Sequence, residues 1–451
     1  MNRLENKNVR QVALELLIRI EKEGAFSHLL IHQAIDRNNI KTVDENLLTE
    51  IVYGTIENKL TLDFYLQPFI QKQKKITDWV LILLRMSVYQ LVYLDKIPVY
   101  AVINEAVHIA KVKGHRGIAS FVNGVLRNVE RQGVRNTSEI KNPINRLAIE
   151  TSHPLWLVQL WVDAYGFEIT EQICKTNKMK KPMTVRANRL KGTREEVLDV
   201  LNREDIKATL SEIVDQAIQV EQGNVLKSNV MKDGYITVQD VSSMLAANFL
   251  QVEPEMSVLD TCSAPGGKAT YMAEAMDNTG TVYSYDLHKN KIKLIENHAK
   301  RLGLTNIQVQ DLDARKLQTI YEKGTFDRIL VDAPCTGFGV IRSKPDITYH
   351  KSLEDIKRLQ TIQLNILQEV APLLKKDGKL VYSTCTINPL ENEEVVQQFL
   401  EYNPTFTVDD TFLLEINHPR YNKAKITDFG MQIFPQTFNS DGFFITRLIH
   451  K

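Results

Sequence analysis

From about residue 236 onward, short runs with strand character alternate with stretches of helical apolar spacing, and this alternation constrains the fold more than any other feature. The runs are SVLD (257–260), TVYSYD (281–286), IQVQD (307–311), FDRILVD (326–332) and KLVYST (379–384). Strands separated by helices fit a parallel sheet covered on both faces, because a parallel connection must cross back over the sheet. One covering helix is explicit: Ile356, Leu359, Ile362, Ile366, Val370 and Leu373 form a stripe that Asp377-Gly378 is expected to stop. The last segment, MQIFPQTFNSDGFFITRLIH, has two extended runs about an Asn-Ser-Asp-Gly turn, which predicts an antiparallel hairpin at the sheet edge.

Upstream the pattern changes. Val12, Leu16, Leu17 and Ile20, and later Val80, Leu83, Leu84, Val88 and Leu91, recur at helical spacing. Ile118, Phe121, Val122, Val125, Leu126 and Val129 make a last stripe that Gly133 is placed to terminate. The polar stretch RNTSEIKNPIN then reads as a linker. The expected organisation is an all-helical domain over 1–135, a small α+β domain over 147–235 opening on a Ser-His-Pro-x-Trp turn, and a Rossmann-like α/β domain over 236–451.

Composition narrows the class. The four cysteines, at 174, 262, 335 and 385, are too scattered for a metal knuckle and too few for a disulfide scaffold, so reduced thiols and no metal are expected. The opening MNRLENKNVRQ lacks an apolar signal core and the run WVLILL (79–84) is too short to span a bilayer, so a cytoplasmic chain with no membrane partner is expected, monomeric by default. The net charge of +1 carries no argument for nucleic acid by itself. A local one exists: Lys111, Lys113, Arg116, Arg127, Arg131 and Arg135 meet only Glu130 between 111 and 135, either as a phosphate-binding patch or as a solvated helix face.

Chemistry concentrates at the strand ends. DTCSAPGGK (260–268) follows a strand and opens a helix; Gly266 and Gly267 allow close backbone approach, and a helix N-terminus favours an anionic group. It is not a GxGxxG fingerprint, and alone it is equally an ordinary turn. Asp286 closes the second strand, where a carboxylate accepts from ribose hydroxyls, and Asp313 follows the third, within reach of an adenine edge; together the three features favour a bound adenosine. Cys335, in Asp332-Ala333-Pro334-Cys335, and Cys385, in Ser383-Thr384-Cys385-Thr386, emerge beyond the fourth and fifth strands on that same side. A thiolate added to carbon 6 of cytosine turns carbon 5 into a nucleophile able to attack an activated methyl group, and a base or second thiol then serves release. Asp332 is placed to hold the base edge and stabilise ring charge, and Lys268 to favour ionisation of a nearby thiol. Cys174 and Cys262 read as buried filler.

At this point the chain resembles the RNA cytosine-5 methyltransferases, and within them the bacterial ribosomal RNA enzymes of the RsmB (Sun or Fmu) kind, along its whole length. The resemblance rests on DTCSAPGGK, DAPC (332–335), TGFGVIRSKPDI (336–347), STCT (383–386) and DGFF (441–444). It implies that Cys385 is the nucleophile and that Cys335 assists product release. It further implies that Cys262, Ser263, Ala264, Pro265, Gly266, Gly267 and Lys268 bind S-adenosylmethionine together with Asp286, Asp313 and Asp332, the last also contacting the base. It implies a NusB-like RNA-binding domain at the N-terminus, a small RNA-binding extension in the middle, and small-subunit 16S rRNA as partner. A DNA cytosine methyltransferase would place its nucleophile in the Pro-Cys pair and need no helical RNA-binding region. A non-catalytic assembly factor, or action on another RNA such as tRNA, stays open.

Overall fold

The computed structural model describes residues 8–24, 27–38, 40–71, 73 and 75–451; the polar opening stretch up to residue 7 lies outside the described residues. Contacts divide the chain into two units, one of residues 1–179 with 343–350 and one of 180–342 with 351–451.

The first unit is helical among its described residues. Helices Val9–Glu23, Ser27–Asn38, Thr42–Glu57, Lys59–Ile70, Asp78–Tyr93, Val99–Lys113 and Arg116–Gln132 surround one core. Val12, Leu16, Leu17, Ile20, Val80, Leu83, Leu84 and Val88 are buried in it as their spacing requires. Gly133, at φ 70°, closes the last of these helices, its N–H donating to the Val129 carbonyl. Arg85 is buried in the same unit because Asp63 takes its guanidinium at 2.6 Å and Glu21 at 2.9 Å. The stretch read as a linker is partly helical: Asn142 caps helix Pro143–Glu150, with proline at its first turn. Helices Leu155–Tyr165 and Phe167–Asn177 follow, so the region read as mixed opens on helices and its strands begin only at Met183.

The second unit holds two sheets. Strands β1 (Met183–Ala187), β2 (Lys207–Leu210), β3 (Ala217–Gln222) and β4 (Ile236–Val238) form an antiparallel sheet in the order β2-β3-β1-β4. The larger sheet contains β5 (Ser257–Asp260), β6 (Thr281–Asp286), β7 (Ile307–Asp311), β8 (Phe326–Asp332), β9 (Leu374–Thr384), β10 (Phe406–Val408), β11 (Lys425–Thr427), β12 (Gly430–Ile433) and β13 (Phe443–His450). Its order is β11-β12-β13-β9-β8-β5-β6-β7, with β10 on β13. Strands β7, β6, β5, β8 and β9 run parallel and the rest join antiparallel, so the sheet is mixed.

Two local expectations change. The helix Leu353–Val370 gives way to a short turn at Ala371–Leu373, and β9 starts at Leu374, so Asp377-Gly378 lies inside the strand and the proline at 372 precedes the change. The terminal hairpin exists, but β13 lies inside the sheet between β9 and β12, and β11 forms the edge. An interior position exposes Arg447 to no water: it is buried, and Asp409 (2.6 Å), Glu415 (3.1 Å) and the Phe249 carbonyl (2.9 Å) satisfy it.

Removing one partner of such a buried network leaves the others unpaired, at a cost of about 3–5 kcal/mol. Arg447→Ala is expected to lower the opening free energy of the β9 and β13 amides by that amount in native-state hydrogen exchange. Unchanged protection in those strands would show that the arginine is dispensable.

Candidate active site

The strand order reverses between β5 and β8, and in an open parallel sheet the crevice at such a reversal, beyond the strands' carboxyl ends, is where ligands bind. Three loops converge there: 260–268 after β5, 332–335 after β8 and 384–386 after β9.

Register does the placing. Asp332 pairs with Ser383 across β8 and β9, and the Ser383 hydroxyl donates to Asp332 Oδ1 at 2.8 Å. Each chain then leaves its strand and delivers a half-buried cysteine, and the sulfurs of Cys335 and Cys385 lie 3.3 Å apart. The hydrogen bond to Cys385, together with burial, pushes the Cys335 thiol well above its ordinary range. Asp332 also takes the Lys268 ammonium at 2.8 Å. Burial would lower that lysine, but Asp332 overrides it and holds Lys268 above its usual range. Lys268 thus spends its charge first on Asp332, with its ammonium 5.0 Å from the centre of the Phe443 ring.

Beneath the thiols lies a polar layer. Thr336 and Thr386, each following a cysteine, share a hydroxyl contact of 2.9 Å. The buried Glu391 accepts from the Thr336 N–H (2.9 Å), the Thr336 hydroxyl (2.5 Å), Gln363 (3.1 Å) and Asn388 (3.2 Å). The Cys385 carbonyl accepts from the Gly339 N–H at 3.0 Å, and the Gly339 carbonyl from the Gly442 N–H at 2.8 Å. A Cβ on Gly339 would stand 1.9 Å from the Gly442 oxygen and 2.8 Å from the Cys385 oxygen, so only glycine permits this approach. Lys181 secures the same corner through Asp240 (2.8 Å) and Asp441 (2.6 Å).

The residues expected to bind a cofactor are arranged around the β5 loop. Gly266, at φ 98°, precedes the helix Gly267–Ala275, whose first N–H groups have no partner within the helix itself. Asp286 is fixed by N–H groups of Ala264 (3.3 Å) and His288 (3.0 Å). The side-chain oxygens of Asp260 and Ser263 are buried with no hydrogen bond of good geometry, and burial, with Asp332 nearby, outweighs the Ser263 hydroxyl and the Cys262 N–H and pushes Asp260 up to about 7. Orphaned acceptors, an anion-favouring helix start and a fixed carboxylate fit a ligand that carries hydroxyls, an ammonium and a carboxylate. Cys262, Ala264 and Pro265 shape this loop; burial pushes the Cys262 thiol up to about 12, as it does Cys174. Asp313 stands apart from the hydrogen bonds of this cluster: it caps the turn Ala314–Thr319 and takes Arg315 at 2.7 Å.

Sequence reasoning missed Glu391, Gln363 and Arg186. The buried Arg186 of β1 reaches Glu274 (2.7 Å), Gln239 and the Gly267 carbonyl (2.8 Å), so the small sheet holds the helix that starts at the cofactor loop. Its only visible signal was a cation inside a strand-like run, MTVRA. In the first unit, Lys111, Lys113 and Arg116 are exposed, whereas Arg127 pairs with Glu130 (2.9 Å), Arg135 with Glu139 (3.1 Å), and Arg131 donates to Asn128 (2.7 Å). Half of the basic cluster is therefore already engaged locally. Among the described residues no group of His, Cys, Asp or Glu is arranged to hold a metal, and no helix is long and apolar enough to cross a membrane.

Comparison with known proteins agrees with this architecture. Residues 247–449 match the family 16S rRNA methyltransferase RsmB/F, residues 7–131 the NusB family, and residues 153–226 the RsmF/B-like ferredoxin-like domain. The "Probable ribosomal RNA small subunit methyltransferase B" of Bacillus subtilis is 48% identical over 99% of this chain and 100% of its own. The crystal structure of PH0851 is 25% identical with a TM-score of 0.82, over 98% of this chain and 99% of that one. A methyltransferase homolog protein from Pyrococcus horikoshii is 26% identical with a TM-score of 0.58, over 69% of this chain and 100% of that one. A NusB-like helical domain, a ferredoxin-like domain and a mixed-sheet methyltransferase domain, matched along essentially the whole length, show that the chain belongs to the ribosomal RNA small subunit methyltransferase B family.

Proposed function

We propose that the chain transfers a methyl group from S-adenosylmethionine to carbon 5 of a cytidine in 16S rRNA, with Cys385 as covalent nucleophile. The observation that carries this reading is the pair of thiols 3.3 Å apart at the ligand-binding end of the sheet. An N- or O-methyltransferase needs no thiol; attack through a ring carbon does, because carbon 5 becomes nucleophilic only after a thiolate has added to carbon 6.

Residues 262–268 with Asp286, Asp313 and Asp332 are assigned to the cofactor, which supplies a methyl group on a positively charged sulfur. Asp332, steadied by Lys268 and Ser383, holds the polar edge of the base and offsets charge developing on the ring. Cys385 forms the bond to carbon 6, carbon 5 takes the methyl group and then gives its proton to water, and the carbon–sulfur bond breaks to return the thiolate. Cys335, within hydrogen-bonding reach, donates its S–H to the departing sulfur and so favours elimination. The target base must leave its stack to reach the rim. Lys111, Lys113 and Arg116 supply part of the phosphate contact.

Incubation with methyl-labelled S-adenosylmethionine and unmodified 16S rRNA is expected to yield labelled 5-methylcytidine after digestion; absence of label would favour a non-catalytic assembly role. Cys385→Ala should abolish transfer with cofactor binding intact, and Cys335→Ala should accumulate a covalent protein–RNA adduct on denaturing gels. Full activity in the first variant ends the nucleophile assignment. Gly339→Ala, which displaces the backbone carrying Cys385, is expected to reduce kcat about 100-fold with a folded protein, and wild-type kcat would show that the contact is unimportant. Charge reversal at Lys111, Lys113 and Arg116 should weaken RNA binding and flatten its dependence on salt; identical affinity at every salt concentration would make the cluster merely solubilising.

A further inference from the structure

The carboxylate under the thiols has more structure than a filler requires. Glu391 is fully buried, and its two oxygens receive four donors: Oε1 from the Thr336 N–H and Gln363 Nε2, Oε2 from the Thr336 hydroxyl and Asn388 Nδ2. Four donors saturate the acceptor sites of an ionised carboxylate, whereas a protonated one would have to donate at one of them. Burial holds Glu391 above the usual carboxylate range, and these donors offset part of that rise.

The charge then sets the direction of a relay. Thr336 must donate to Glu391, so its oxygen is free to accept from Thr386, 2.9 Å away and next to Cys385 in the chain. Gln363 adds a second tie, donating to the Pro334 carbonyl at 2.9 Å as well as to Glu391. Every polar atom flanking Cys335 that these contacts touch, the Pro334 carbonyl and the N–H and hydroxyl of Thr336, is held by Glu391 or by its partner Gln363.

We propose that Glu391 is a positioning residue for the thiol pair, orienting the Thr386–Thr336 relay and the Cys335 turn so that Cys335 presents its S–H to Cys385. This rests on the reading of Cys385 as nucleophile and Cys335 as release partner. The groups facing Cys335 are Tyr382 from β9 and Cys385 just beyond its end, Asp332 from β8 with its partner Lys268, and Glu391 from the turn Pro389–Glu391; the acids among them all oppose loss of the Cys335 proton. Glu391 therefore acts in geometry and in charge together, and the two are separable by experiment.

Glu391→Gln preserves size and removes the charge. With folding verified by circular dichroism, the expected result is adduct accumulation with RNA and a roughly 10-fold fall in kcat at unchanged KM. Since alkylation follows the thiolate, the pH profile for iodoacetamide labelling of Cys335, followed by mass spectrometry, should move to lower pH. A packing role alone would not move that profile. If the glutamine variant does not fold, Thr336→Val, which cuts the relay and leaves the charge, decides: it should accumulate adduct with the labelling profile little changed. A folded glutamine variant with wild-type turnover and wild-type labelling overturns the proposal, as does a valine variant with wild-type release. Labelling needs neither RNA nor methyl transfer, so a shifted profile in Glu391→Gln alongside full activity in Cys385→Ala would mean that the parent mechanism failed while the coupling of Glu391 to Cys335 stood.

Discussion

The pairing of Asp332 with Ser383 in the parallel ladder of β8 and β9 is the contact on which the site depends. A slip of one residue in a strand turns every side chain to the opposite face. Here it would separate the acid from the hydroxyl that steadies it and send the two cysteine loops in different directions. Ile329, Leu330, Val331, Leu380, Val381 and Tyr382 are all buried, so both faces are apolar and a slip is opposed by the mismatch of close-packed side-chain shapes, not by exposure to water. The hydrophobic core therefore determines not only that the domain folds but that two sulfurs meet at its rim.

Placement at the rim is refined by groups with no chemistry of their own. Gly339 and Gly442 bring three segments of backbone into contact at Cys385, and Lys181 pairs with two carboxylates at the same corner, the buried Asp441 and the partly buried Asp240. A buried acid of this kind is tolerated only when hydrogen-bonded or paired. Asp240, Asp441 and Glu391 each satisfy that condition through residues distant in sequence.

Much of this was legible beforehand. All five nominated strands of the parallel sheet are present: the central ones read as apolar runs because both faces are covered, and the edge strand β7 reads as an alternation because it is half-exposed. The two cysteines could be placed at the same end of the sheet because each follows such a run. What could not be read was register across the sheet and polar pairing beneath it. Glu391 sits in INPLENEEVV among other acids, and nothing in that string distinguishes it from Glu393 and Glu394. The misplaced end of helix Leu353–Val370 has a similar cause: Asp-Gly is a strong local turn signal, but here it lies in the register break between Leu374 and Lys379 of the β8–β9 ladder instead of at the end of the helix. Asp313 shows a different ambiguity, since a strand-end acid placed to suit an adenine edge also takes the adjacent Arg315 at 2.7 Å.

The arginine of β1 bears on how such an enzyme can be divided. Arg186 neutralises Glu274, and both side chains are sealed from water, so cutting the chain after the small sheet would take from Glu274 the cation that pairs with it. The boundary read from the strand pattern at about residue 236 therefore runs through a buried ion pair. A fragment that keeps the small sheet keeps the counter-charge of Glu274, and any module put in its place would have to supply a cation there.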